Sequence, residues 1–118
     1  MKKIYHLSTC STCQRIIKGL NEGAGFELQD IKQEAITEEQ LDAMKEKVGT
    51  YEALFSRRAM KYRAMGLHEQ SLNEEDYKRL ILEEYTFLKR PVIWIEGELY
   101  VGNSKKVVAA AQEHLANV

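Results

Sequence analysis

The sequence predicts an α/β fold: a thin mixed sheet of about four strands with a helical insertion between the second and third. Three observations carry this. A β-prone run, Lys3-Ile4-Tyr5-His6-Leu7, leads into apolar residues at helical spacing. The middle of the chain, about 37–86, shows helical periodicity and capping signals. A proline-led apolar run, Pro91–Ile95, then precedes a tight turn and a second short strand.

The elements follow in order. Ser8-Thr9 is a polar turn after the first strand, and residues 11–22 place Ile16, Ile17 and Leu20 on one helical face. Asn21 to Gly25 stops that helix, with two glycines that tolerate positive φ. Residues 26–31 alternate apolar and polar as a second strand. Thr37-Glu38-Glu39-Gln40 fits a capping box and opens a helix carrying Leu41, Met44 and Val48. Gly49-Thr50 breaks it, and Tyr51 to Leu54 restart helical spacing. Arg57 to Gly66 is basic and reads as irregular. Ser71 to Glu74 opens a further helix with Tyr77, Leu80 and Ile81. Glu96-Gly97 turns a hairpin, and Gly102-Asn103-Ser104 caps a last helix carrying Val107, Val108, Ala111 and Leu115. Two parallel strands joined by a helix, then a hairpin and a helix, describe a thioredoxin-like sheet.

A chain of 118 residues suits one domain, 1–118, with the helical insertion at about 37–86. Hydrophobic residues make up 44%, enough to bury a core without disulfides. The net charge is −1, which gives no global attraction to nucleic acid or membrane. Any anion site must therefore be local. No apolar run approaches the roughly 20 residues of a membrane span, and the start lacks the apolar stretch of a signal peptide. A cytoplasmic, reducing location is the expectation.

In that setting, Cys10 and Cys13 read as reactive rather than structural. They close too short a loop to brace the fold. Cys10 stands at the start of the first helix, where unpaired N–H groups and the helix dipole favour a thiolate. Cys13 lies one turn on and shares its face. The same N–H groups attract oxyanions. A zinc site would need two more ligands, and His6, His68 and His114 are scattered along the chain. Two inert buried cysteines are the bland alternative, but Ser8, Thr9, Ser11 and Thr12 around them are small and polar.

Pro91 opens a strand, where its missing N–H is tolerated. In a thioredoxin-like fold a cis proline at this point faces the reactive cysteine, so a cis Arg90–Pro91 bond is expected. Arg90 would then meet an anion beside Cys10. Arg57, Arg58, Lys61 and Arg63 form a basic cluster, read equally as a solvated face or an anion contact. His6, four residues before Cys10, could lower its thiol if cationic. Trp94 reads as core, and His68 and His114 as surface.

Together these residues resemble the ArsC/Spx/YffB family of thioredoxin-like proteins, often called arsenate-reductase-like. The resemblance spans nearly the whole chain. Its landmarks are the strand into Tyr5-His6-Leu7-Ser8-Thr9-Cys10, the block Leu54-Phe55-Ser56-Arg57-Arg58 with Tyr62 through Leu67, the run Phe87 to Ile93, and Val101-Gly102. The resemblance implies that Cys10 is the nucleophile. His6 falls where the glutaredoxin-coupled arsenate reductases carry a histidine. Arg90 matches an oxyanion-contacting arginine, and Arg58 or Arg57 a second, with spacing to Tyr62 favouring Arg58. Thr12 and Pro91 are counted with them on the oxyanion side.

Three positions depart from the arsenate reductase pattern. Asn103 replaces a third arginine, Gln14 replaces an arginine near the loop end, and Cys13 adds a second thiol. The implied activity is a thiol oxidoreductase in which Cys10 attacks an oxyanion or a mixed disulfide and Cys13 resolves the adduct. It would need no metal or prosthetic group. Glutathione, glutaredoxin or thioredoxin would supply electrons. The C-x-x-C form is also similar to Spx, a redox-responsive regulator that binds the RNA polymerase α-subunit. Gly49 lies near a glycine used for that contact, although a helix stop explains it equally. Neither reading calls for direct nucleic-acid or membrane binding.

Overall fold

The first strand, β1 (Lys2–His6), buries Lys3 through His6, as the centre of a sheet must. A computed structural model describes all 118 residues. The chain divides into two compact units, Met1–Glu34 with Arg90–Val118, and Ala35–Lys89.

The first unit is built on a four-stranded sheet in the order β2-β1-β3-β4. β2 (Glu27–Asp30) runs parallel to β1, with Lys3 opposite Glu27 and His6 opposite Asp30. β3 (Val92–Ile95) is antiparallel to β1 and pairs Ile4 with Ile93 and Tyr5 with Val92. β4 (Glu98–Val101) closes the hairpin. Its turn residues Glu96 and Gly97 both have positive φ, 44° and 87°, which matches the twist of a two-residue type I′ hairpin.

Two helices belong to this sheet. α1 (Ser11–Lys18) follows β1, and α5 (Lys105–Ala116) follows β4, capped by Ser104 through Val107 N–H. Ile4, Ile93 and Ile95 of the sheet pack with Ile16, Ile17 and Leu20, and with Ala111 of α5. Each aliphatic side chain buried this way contributes about 1.5–3 kcal/mol. The thioredoxin-like α/β architecture expected from the sequence is present.

α1 is shorter than its apolar spacing implied. It ends at Lys18, because Asn21 and Glu22 take left-handed φ values of 56° and 57° and fold Leu20 inward.

The second unit is helical. α2 (Glu38–Val48) opens with the expected capping box, Thr37 with Gln40. α4 (Glu74–Glu83) is capped by Asn73 with Asp76, two residues later than the Ser71 start read from sequence. Lys78 of α4 pairs with Glu38 at 2.7 Å and Asp42 at 3.1 Å on α2. Phe55 anchors an aromatic cluster, with Phe87 and Tyr77 rings each 5.0 Å away and Tyr62 at 5.9 Å. The segment read as irregular contains a short helix, α3 (Met60–Ala64). None of its residues is buried, so it carries no apolar rhythm to betray it. No helix is long and apolar enough to cross a membrane.

Candidate active site

β1 ends at His6, and Leu7 to Cys10 form the turn into α1. The turn closes with Cys10 N–H donating to Leu7 O at 3.0 Å. Cys10 takes the N-cap position with extended backbone, φ −96° and ψ 111°. A side chain there projects toward the first amides of the helix. Its thiol makes no capping hydrogen bond. The amides instead favour the ionised sulfur.

The two thiols are pushed apart. Burial raises Cys10, but the Cys13 N–H and thiol, the Thr12 N–H and the Arg90 charge together outweigh it, and the net displacement is down. Cys13 is fully buried. Burial pushes its thiol up to about 11; the neighbouring Cys10 adds to this, while Leu7 N–H and Arg90 oppose it. Both cysteines are free thiols. One is thus poised to ionise and the other to keep its proton.

Arg90 is half-buried and acts on both sulfurs through its charge. The Arg90–Pro91 peptide is cis, as expected. Pro91 precedes the pairing of Val92 with Tyr5, so it stands at the same end of the sheet as His6. Thr12 is the second residue of α1. His6 is almost fully buried at the end of β1. Gln14 Nε2 lies 3.4 Å from His6 Nδ1 and donates to Leu7 O at 3.2 Å.

Six of the residues singled out from sequence, His6, Cys10, Thr12, Cys13, Arg90 and Pro91, therefore belong to the first unit. Arg57 and Arg58 belong to the second. There Arg57 is engaged by Glu52 at 2.6 Å and Tyr77 Oη at 3.0 Å. Arg58 is exposed on the turn before α3. Lys61, of the same basic run, pairs with Glu84 at 2.6 Å. The run is therefore partly neutralised by acidic neighbours. No group of three or more His, Cys, Asp or Glu side chains is arranged to hold a metal.

The sequence reading did not single out Asp30 or Ser8 as site residues. Asp30 ends β2 opposite His6, and its carboxylate accepts from Lys32 N–H at 3.1 Å. The Ser8 hydroxyl leads the effects holding its carboxyl below the usual range. The available signal was topological. Parallel strands end on the same side of a sheet, so a polar residue closing strand 2 meets the loop that leaves strand 1.

A parallel β1-α1-β2 unit, an antiparallel hairpin, a cis proline and a cysteine at the start of α1 define a thioredoxin-like thiol protein. The chain belongs to the ArsC family, whose model matches residues 5–111. Solved structures share the fold. A YffB protein is 24% identical with a TM-score of 0.80, covering 95% of this chain and 99% of its own. An arsenate reductase (ArsC) related protein from Brucella melitensis is 25% identical with a TM-score of 0.71, covering 92% of each chain. Arsenate reductase from Vibrio cholerae is 18% identical with a TM-score of 0.78, covering 93% of this chain and 96% of its own. No curated protein matches. Family and fold support a thiol oxidoreductase-like function. The family also suggests an oxyanion substrate and a thiol-based reductant.

Proposed function

We propose that the protein is a thiol-dependent reductase of small oxyanions, with Cys10 as nucleophile and Cys13 as resolving thiol. The observation that carries this is the unequal placement of the two sulfurs: Cys10 is partly exposed at the N-cap of α1, and Cys13, one turn on, is fully buried. A structural pair needs no such asymmetry.

With arsenate as the oxyanion, the Cys10 thiolate attacks arsenic, and an arsenic-bound hydroxyl takes a proton from solvent and leaves as water, forming a sulfur–arsenic(V) bond. Cys13 gives up its proton and attacks the Cys10 sulfur. A disulfide forms, the sulfur–arsenic bond breaks, and its electron pair stays on arsenic, which departs as arsenic(III). A dithiol donor or two glutathione molecules then reduce the Cys10–Cys13 disulfide. The pair supports this order. Once Cys10 is bound in an adduct, it no longer carries the thiolate that helps keep Cys13 protonated.

Arg90, with its charge felt at both sulfurs, would hold the oxyanion. Thr12 and Pro91 would line the same end of the sheet, and His6 would stand behind the nucleophile turn. No prosthetic group enters these steps.

The test is arsenate reduction with glutathione and glutaredoxin, and separately with thioredoxin and its reductase. Turnover with either donor, lost in Cys10→Ser, is the expected result. Absence of turnover with both donors overturns oxyanion reduction. It would move weight to a redox switch read by the RNA polymerase α-subunit, which a pulldown under oxidising and reducing conditions would test. Gly49 does not favour that switch. It is the C-cap of α2 at φ 97°, which by itself accounts for glycine.

A further inference from the structure

α1 opens unlike the other long helices. α2, α4 and α5 each begin with a side chain that accepts from an N–H of the first turn: Thr37 from Gln40, Asn73 from Asp76, and Ser104 from Val107. Such a cap fixes where the helix starts. The N-cap of α1 is Cys10, whose thiol makes no capping hydrogen bond, and no acidic residue stands in the first turn. A helix of eight residues does not hold its own start in water. Ser8 and Thr9, just before it, are exposed and add no packing.

Gln14 supplies the missing restraint from the other direction. Leu7 is buried, so its carbonyl has to find partners inside the protein. Cys10 N–H donates to that carbonyl at 3.0 Å, and Gln14 Nε2 donates to it at 3.2 Å. A carbonyl oxygen has two lone pairs, and both are used. Gln14 also holds Cys10 directly, because its own N–H donates to Cys10 O at 3.2 Å. One residue therefore grips the nucleophile through its backbone and the end of the turn through its side chain. The same Nε2 meets His6 Nδ1 at 3.4 Å, which ties the brace to the end of β1.

We propose that Gln14 is a positioning residue for the nucleophile: by bracing Leu7 O it stands in for a helix cap, and so keeps Cys10 at the N-cap of α1 with its sulfur left for chemistry. The proposal rests on the reading of Cys10 as nucleophile and adds to that site a residue that never touches the substrate. A capping serine or aspartate would satisfy the helix start but would take the place of the thiol. A brace four residues further on secures the start and leaves the N-cap to the cysteine. A thiolate gains from the first amides of a helix only while it is held beside them. Loosening the brace should therefore cost Cys10 part of its thiolate.

The experiment measures the rate and pH midpoint of Cys10 alkylation by iodoacetamide, located by peptide mass, in the full reduced chain. The parent is compared with Gln14→Met and Gln14→Ala, with melting recorded for each. Methionine matches glutamine in length, helix preference and charge and lacks the donor. Expected for Gln14→Met is a midpoint raised by about half a pH unit and a neutral-pH rate down about threefold, the matching loss of thiolate fraction. Gln14→Ala should move the same way, and it decides the matter if Gln14→Met does not fold.

Lower melting with a parent-like alkylation profile would show a merely structural glutamine and overturn the proposal, with the reading of Cys10 left standing. A lowered midpoint would overturn it as well, because a released and charged His6 would then govern the thiol rather than the turn. A parent midpoint no lower than that of a free thiol would instead remove the reading of Cys10, and with it the tuning that Gln14 is said to maintain.

Discussion

Gln14 Nε2 contacts His6 Nδ1 at 3.4 Å, and the same nitrogen donates to Leu7 O at 3.2 Å. A backbone carbonyl can only accept, so the Leu7 bond fixes which end of the Gln14 amide faces the turn. His6 Nδ1 must then accept, and the proton of the neutral ring sits on Nε2. The tautomer of His6 is thus set by Gln14, in the first half of α1.

Nitrogen-15 NMR of the imidazole should show this directly. Neutral His6 is expected as the Nε2–H tautomer. Gln14→Ala should leave a mixture of tautomers, because nothing then discriminates the two ring nitrogens. A predominant Nδ1–H form in the parent protein would contradict the assignment.

The two thiols should part company on a pH scale. Iodoacetamide should label Cys10 with a midpoint below that of an ordinary free thiol, and Cys13 should label only as the pH nears about 11. Peptide mapping after alkylation at graded pH reads both. Equal labelling of the two at neutral pH would remove the division of roles.

Arg90 lowers both sulfurs, so its loss should raise both. Arg90→Met is expected to slow Cys10 alkylation at neutral pH by roughly threefold to tenfold, with Arg90→Lys recovering most of the rate because the charge returns. Oxyanion turnover should fall further than alkylation in Arg90→Lys, since lysine cannot grip an oxyanion with two parallel N–H groups.

Cys13 also predicts an alkaline instability. Its thiol is raised in the folded state, so between the ordinary thiol range, near pH 8.5, and about 11 the unfolded chain loses its proton first. Stability from this group is complete below that window and is lost as the pH rises through it. Urea unfolding of the reduced protein at pH 7.5 and pH 10 should show a decline that is smaller in Cys13→Ala. An identical decline in the variant would mean that other groups dominate.

In the second unit, Phe55 is fully buried and flanked by Phe87, Tyr77 and Tyr62. Phe55→Ala should cost about 3–5 kcal/mol of unfolding free energy. Thr37→Ala, which removes one half of a capping box, should cost only about 1 kcal/mol. Denaturant midpoints compare them.

The features legible in the sequence were those with a local physical cause. Ile16, Ile17 and Leu20 declared α1 through their spacing, Thr37 and Gln40 declared the start of α2, and Cys10 declared itself by preceding a helix whose amides favour a thiolate. α3 was hidden because it buries nothing, and the early end of α1 because Asn21 and Glu22 adopt left-handed backbone that is uncommon for such residues.

By itself, then, the sequence determined the order of the strands and of the longer helices and marked Cys10 and Cys13 as the candidate pair, since both follow from patterns within a few residues along the chain. Only the tertiary structure decided how the pair is tuned. The burial of Cys13 and the charge of Arg90 at both sulfurs depend on strands distant in sequence. β1, β2 and β3 must pair before those groups meet, and no local pattern records which side chains a sheet will bring to one end.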